Sequence, residues 1–180
     1  MEVTLNKKRL CLSLAITAWH LFAIPSSLLA AEPVVISREE VVEEAPRDVL
    51  FARALKWFQK VFRGPRASLD VEDWEKGRIE GKVAFNYISA DEENPRMTSG
   101  WIAFSVSVSV RDGLYRYTFT DFRHEGGEWS FGPITLEKAC PVKFSEVRHD
   151  QREWDKMKKD TAATVERLIL SLKTAMRPPP

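Results

Sequence analysis

Residues 101–124, WIAFSVSVSVRDGLYRYTFTDFRH, alternate with a period of two on both sides of Asp112-Gly113. Such alternation marks a strand with one buried face, and Asp-Gly between two runs of it is a strong hairpin signal. A turn at Asp112-Gly113 sets Val110 opposite Tyr115, Val108 opposite Tyr117 and Val106 opposite Phe119, all on one side. On the other side Ser109 meets Arg116, Ser107 meets Thr118, Ser105 meets Thr120 and Ala103 meets Phe122. Two separately written strands thus agree on which face is apolar. The same parity leaves Asp121 on the apolar side opposite Phe104, which reads as the strand ending there with its carboxylate reaching water or a backbone donor.

The serine side decides where candidate function lies. A hydroxyl buried without a partner costs roughly 1–3 kcal/mol. Ser105, Ser107, Ser109, Thr118 and Thr120 together would rival a typical folding stability of about 5–15 kcal/mol. That face is therefore wet, covered by something polar, or engaged by a partner that hydrogen-bonds. An ordinary solvated sheet face is one reading. The other is a binding platform of Trp101, Ser105, Ser107, Ser109, Arg116, Thr118, Thr120 and Phe122, with Trp101 beside His124 at the sheet end. Short hydroxyl side chains flanked by aromatics and one cation suit a peptide, a glycan or another copy of the chain.

Working outward, SLDVEDWEKGRIEGKVAFNYI (68–88) reads as another hairpin, the first in chain order, with the Asp112-Gly113 hairpin the second. A three-residue turn, Glu75-Lys76-Gly77, pairs Leu69 with Val83, Val71 with Gly81 and Asp73 with Ile79, and puts Asp70 opposite Lys82. A two-residue turn would mix the faces. Gly77 suits the left-handed position such a turn requires. The polar run SADEENPRMTSG reads as the loop joining the two hairpins.

Two helices flank this β region. Pro46 suits a first helical turn, and Phe51, Ala54, Leu55, Phe58, Val61 and Phe62 form one apolar stripe ended by Gly64-Pro65. Towards the C-terminus Asp150 and Glu153 resemble a capping box, with Asp in the place of Ser or Thr. Trp154, Met157, Thr161, Val165, Leu168, Leu172 and Met176 then make a second stripe, and residues 177–180 are a tail. Residues 125–151 show no clear period, apart from a candidate strand around Ile134–Leu136. Upstream, residues 32–45 read as an acidic linker in which VVIS (34–37) is a candidate short strand. The expected architecture is α+β: a two-layer sandwich in which one antiparallel sheet of four to five strands carries two helices on one face. Residues 46–176 form the single domain.

The first 31 residues have the order of a secretory signal: Lys7, Lys8 and Arg9, an apolar run, then small residues with cleavage after Ala30 or Ala31. An uncleaved anchor is the alternative. Cleavage implies export to the periplasm or the extracellular space, with no transmembrane segment left. It also reduces 27 basic and 26 acidic residues to 24 and 25, since Glu2 leaves with the three cations. A near-neutral domain has no field to hold nucleic acid. Only Cys140 remains of the two cysteines, so packing rather than a disulfide must hold the domain.

No glycine-rich phosphate loop and no GxSxG elbow occurs, and no cofactor is implied. His124 with Asp121, Glu125 and Glu128 lies at a hairpin exit rich in turn residues and is a weak metal set. Cys140 with His149 lacks a recognisable orienting partner and reads as an idle thiol.

The segments ALKWFQKVF (54–62), EKGRIEGK (75–82) and VRDGLYRYTFTDFRHEG (110–126) resemble a bacterial family of exported proteins that carries a domain of unknown function with a TBP-like fold. The likeness covers about residues 46–125. It implies a β-α-β4-α arrangement and carries over no catalytic residue. The functional expectation is a non-enzymatic binding or assembly module of the cell envelope, using the Ser/Thr-rich face. The alternative is a periplasmic carrier of a lipid or small apolar ligand held between helices and sheet, although Trp57, Phe58, Phe85, Trp154 and the tyrosines look sufficient to fill that space.

Overall fold

The computed structural model describes residues 31–93, 95–144 and 150–178. The Asp112-Gly113 hairpin is its centre, formed by β4 (Gly100–Arg111) and β5 (Leu114–Gly126). Its pairs from Val110↔Tyr115 through Ser105↔Thr120 are those the alternation dictates. Outside β4 lies β3 (Arg78–Tyr87), then β2 (Ala67–Asp73) at one edge; outside β5 lies β1 (Ile36–Val41) at the other. All neighbours are antiparallel, and a two-residue β6 (Gly132–Pro133) adds to the end of β5.

Two helices cover one face of this sheet. The shorter, α1 (Arg47–Val61), buries Leu50, Phe51, Ala54, Trp57 and Phe58. The longer, α3 (Asp150–Met176), buries Trp154, Met157, Thr161, Val165, Ile169, Leu172 and Met176. They close over Val106, Val108, Val110, Tyr115, Tyr117 and Phe119 in one continuous core. Trp57 satisfies its indole N–H by donating to Ser171 Oγ across the helix pair. A four-residue helix, α2 (Pro95–Thr98), sits in the loop between β3 and β4.

The acidic segment before α1 is largely strand rather than linker: Ile36–Val41 pairs with Leu114–Phe119. Residues just before it also bridge to the irregular C-terminal loop, where Val34 N–H donates to Ile134 O and Leu136 N–H to Glu32 O. The expected strand at Ile134–Leu136 is thus reduced to an isolated bridge, Pro33↔Thr135.

Two register corrections follow, one from a longer turn together with a β-bulge and one from a β-bulge alone, a bulge being one extra residue in one strand. In the first hairpin the turn spans four residues, Trp74 to Gly77, because Asp73 pairs with Arg78. Leu69 then meets Gly81, and Val71 meets Glu80 instead of Gly81, so Asp70 is the inserted residue. In the second hairpin, Ala103 pairs with Arg123 and Ser105 with Thr120, leaving Asp121 and Phe122 opposite Phe104 alone. Asp121 takes φ +57. A left-handed residue costs roughly 1–2 kcal/mol. Without the insertion Phe122 would face water and Asp121 would face the core, and burying a phenylalanine is itself worth about 1.5–3 kcal/mol. Keeping the carboxylate hydrated adds to that side of the balance, so the bulge wins.

Candidate functional site

Among the described residues no helix lies over the outer face of β3, β4 and β5. Ser109 and Arg116 are exposed there, while Ser105, Ser107, Thr118, Thr120 and Trp101 are half-buried. Several of these side chains are already engaged. Ser37 and Thr118 share a 2.9 Å hydroxyl–hydroxyl hydrogen bond, and Arg116 pairs with Glu39 at 2.8 Å. Arg66 lies 4.9 Å over the Trp101 ring and pairs with Glu125 at 2.8 Å. Trp101 is therefore capped by this protein's own guanidinium rather than open for stacking.

Phe122 does not belong to this face. The bulge turns it into the core, where it is 2 % exposed and stacks on Phe104 with ring centroids 5.3 Å apart. His124 moves with it: Trp101 pairs with Glu125, while His124 pairs with Ile102 and is fully buried. In place of Phe122 the outer face gains Asp121. The residue lines a cleft of about 200 Å³ together with Asp70, Glu80, Lys82, Ser105, Ser107 and Thr120. Lys82 faces Asp70 at 3.9 Å, and Arg78 forms an ion pair with Glu80.

A second polar site, missed by sequence reading, lies on the helix-covered side of the sheet, between α3 and the end of β3. Glu153 is no capping-box residue; its carboxylate is buried and accepts the Tyr87 hydroxyl at 2.7 Å and the Ser89 hydroxyl at 2.8 Å. Thr98 Oγ1 donates to Ser89 Oγ at 2.8 Å. Burial, then the bond to Glu153, push the Tyr87 phenol well above its usual range. Glu153 stands in the first turn of α3, where the helix dipole favours negative charge. Its signal in the sequence is spacing: Glu153 precedes Met157, Thr161 and Val165 at intervals of four, on the stripe that packs inward.

Beside this carboxylate, His124 Nε2 lies 2.8 Å from Thr98 O and its Nδ1 accepts Phe131 N–H at 3.1 Å. Since Phe131 N–H can only donate, Nδ1 must be unprotonated and Nε2 must carry the hydrogen. Burial lowers the His124 pKa, with the Thr98 carbonyl opposing part of the shift. Both ring nitrogens are committed to backbone partners, so the hairpin-exit metal reading does not hold for His124. The Cys140 thiol donates to Val142 O at 2.9 Å, and burial raises its pKa, which disfavours the nucleophilic thiolate. His149 lies outside the described residues.

The helix-covered face with its β-α-β4 core agrees with the comparisons. Residues 39–125 match the family model described as a domain of unknown function (DUF4468) with TBP-like fold. Over that stretch the chain is similar to the family, and its fold is TBP-like. Among solved structures it is similar to a DUF4468 family protein from Bacteroides ovatus, with 16 % identity, TM-score 0.61, and coverage of 84 % of this chain and 93 % of that one. It is also similar to a TBP-like protein from Parabacteroides distasonis, with 10 % identity, TM-score 0.53, and coverage of 78 % and 92 % respectively. At these identities the likeness concerns the fold. No curated protein matches the chain. Among the described residues no helix is long and apolar enough to cross a membrane.

Proposed function

We propose that the domain is a non-enzymatic binding or assembly module of the cell envelope, exported by residues 1–31, which meets its partner with the outer face of β3, β4 and β5. The observation that carries this reading is the asymmetry of the sheet: α1 and α3 cover one face, and the other presents hydroxyls and ion pairs to the surface. The sheet edges are poor docking strands by comparison. The β2 edge is bulged at Asp70 and carries Glu72 and Asp73, and β1 carries Arg38, Glu39 and Glu40. Charges and bulges of this kind discourage strand addition. The carrier alternative meets a filled interior, since Trp57, Phe58, Phe104, Phe119 and Trp154 occupy the space between helices and sheet at 3 % exposure or less.

The test is a photo-crosslinking amino acid placed at Ser109 or Arg116 in the native cell, with Lys56 on the exposed side of α1 as the control position. Discrete adducts from the sheet positions and none from Lys56 support the reading; adducts from Lys56 alone reject it. Mass spectrometry of the protein from cell fractions checks export, which predicts an envelope form beginning at Ala31 or Glu32.

A further inference from the structure

The outer-face cleft is made by two separate irregularities. The inserted residue of β2 is Asp70 and that of β5 is Asp121, and both line the same depression, whose floor is the Ser105–Ser107 stretch of β4. Regular strands would not set both carboxylates around this floor.

The chemistry of the lining narrows what fits. Gly81 has no side chain and the Val106 side chain is buried in the core at 1 % exposure, so the floor offers an apolar ligand almost nothing to cover. Three carboxylates against Lys82 disfavour an anion. These carboxylates do not converge as a metal site: among the described residues no group of three His, Cys, Asp or Glu side chains is placed to hold a metal ion. Two of the three carboxylates already hold cations, Asp70 with Lys82 and Glu80 with Arg78, so an incoming cation would have to displace one of them. Asp121 has no ion-pair partner among the described residues. What remains is a nearly neutral, concave surface of carboxylate lone pairs and hydroxyls that both donate and accept.

We propose that this cleft is a binding site for a neutral saccharide, whose adjacent hydroxyls donate to Asp121 and Asp70 and exchange hydrogen bonds with Ser105, Ser107 and Thr120. The inference rests on the open-face reading above and names a ligand class for it.

The experiment is backbone-amide NMR of the full chain, titrated with maltohexaose, cellohexaose, xylohexaose, mannohexaose and chitohexaose, with spermidine and inorganic phosphate as comparison probes. The expected result is that at least one saccharide shifts the amides of Ser105, Ser107, Thr120 and Asp121 while those of α1 stay in place. Asp121→Asn tolerates the left-handed backbone and should weaken that binding about tenfold, since a hydrogen bond to a charged acceptor is stronger than one to a neutral amide. Ser107→Val suits a strand and should also weaken it. The proposal is overturned if no saccharide shifts the cleft, if the shifts fall elsewhere, if both variants bind like the parent, or if only spermidine or phosphate binds. A cleft that binds no saccharide in a protein that still gives Ser109 adducts in cells would leave the docking face standing without this ligand.

Discussion

Asp112 Oδ1 accepts the backbone N–H of Arg47 at 2.7 Å, so the tip of the second hairpin caps a helix 65 residues earlier in the chain. Pro46, which precedes the helix, supplies no side-chain cap of its own. The backbone reinforces the junction, with Val42 N–H donating to Gly113 O and Gly113 N–H to Ala45 O. Replacing a helix-capping Asp by Ala typically costs about 0.5–2 kcal/mol. Asp112→Ala should therefore lower the melting temperature by roughly 1–8 °C, at about 2–4 °C per kcal/mol for a domain of this size. Asp112→Asn retains an acceptor and should lower it less. Thermal melts of the two variants check the ordering.

His124 should make the domain acid-sensitive. Burial depresses its pKa below the ordinary 6.5, so above that pH the folded and unfolded chains both hold the ring neutral. As the pH falls below 6.5 the unfolded chain takes up a proton that the folded ring refuses. Stability is thus fully present above this pH and is lost as the pH falls through the folded value. Protonation would also turn Nδ1 into a donor facing Phe131 N–H and break that bond. Tyr87 from β3, Thr98 from α2, Glu125 from β5 and Glu153 from α3 surround the ring, and the two glutamates limit the depression. Urea unfolding between pH 8 and pH 5 should show this loss in the parent protein, and His124→Phe should flatten it.

The bond between Tyr87 and Glu153 should be worth more than a surface contact, because both groups are buried. Tyr87→Phe removes one hydroxyl donor from a carboxylate that water does not reach. The expected cost is about 1–3 kcal/mol, the range for an unsatisfied buried polar group. Glu153→Gln alone should also destabilise, and the double variant should cost less than the sum of the two singles, as residues sharing one hydrogen bond do. Strict additivity in denaturant melts would mean that the two groups do not interact.

These groups also show where sequence reading stopped. The central hairpin was legible because every residue from Ser105 to Thr120 votes on one register and Asp112-Gly113 fixes the turn. The helical stripes were legible for the same reason, though Ile169 rather than Leu168 is the buried member. Bulges have no period, and their trace was a misfit: Asp121 stood where the alternation demanded an apolar group. Glu153 left the same kind of trace, a charge on an inward stripe, and the capping motif offered a simpler explanation. Residues 127–131 were illegible because their backbone partners are remote. Gly127 N–H donates to Ser99 O, Trp129 N–H to Met97 O and Phe131 N–H to the His124 ring, none of which a local pattern records. Of the proposed platform, Phe122 was misplaced by the bulge, and the cleft that replaced it could not be read until the extra residue was counted.

That extra residue permits a direct check on the backbone. Asp121 holds φ +57 at the β5 bulge, a conformation open to glycine, tolerated by Asn and Asp, and hostile to β-branched side chains. Asp121→Gly should leave the melting temperature near the parent value or raise it, because relief of left-handed strain offsets the flexibility gained by the unfolded chain. Asp121→Val should lower stability by more than about 1 kcal/mol, although valine is the better strand former by propensity. A regular strand in solution would reverse this order: valine would then stabilise, Phe122 would turn outward, and quenching of Phe104–Phe122 contacts in aromatic NMR spectra would be lost. Ranking the two variants by urea midpoint, with the parent as reference, distinguishes a bulged β5 from a regular one.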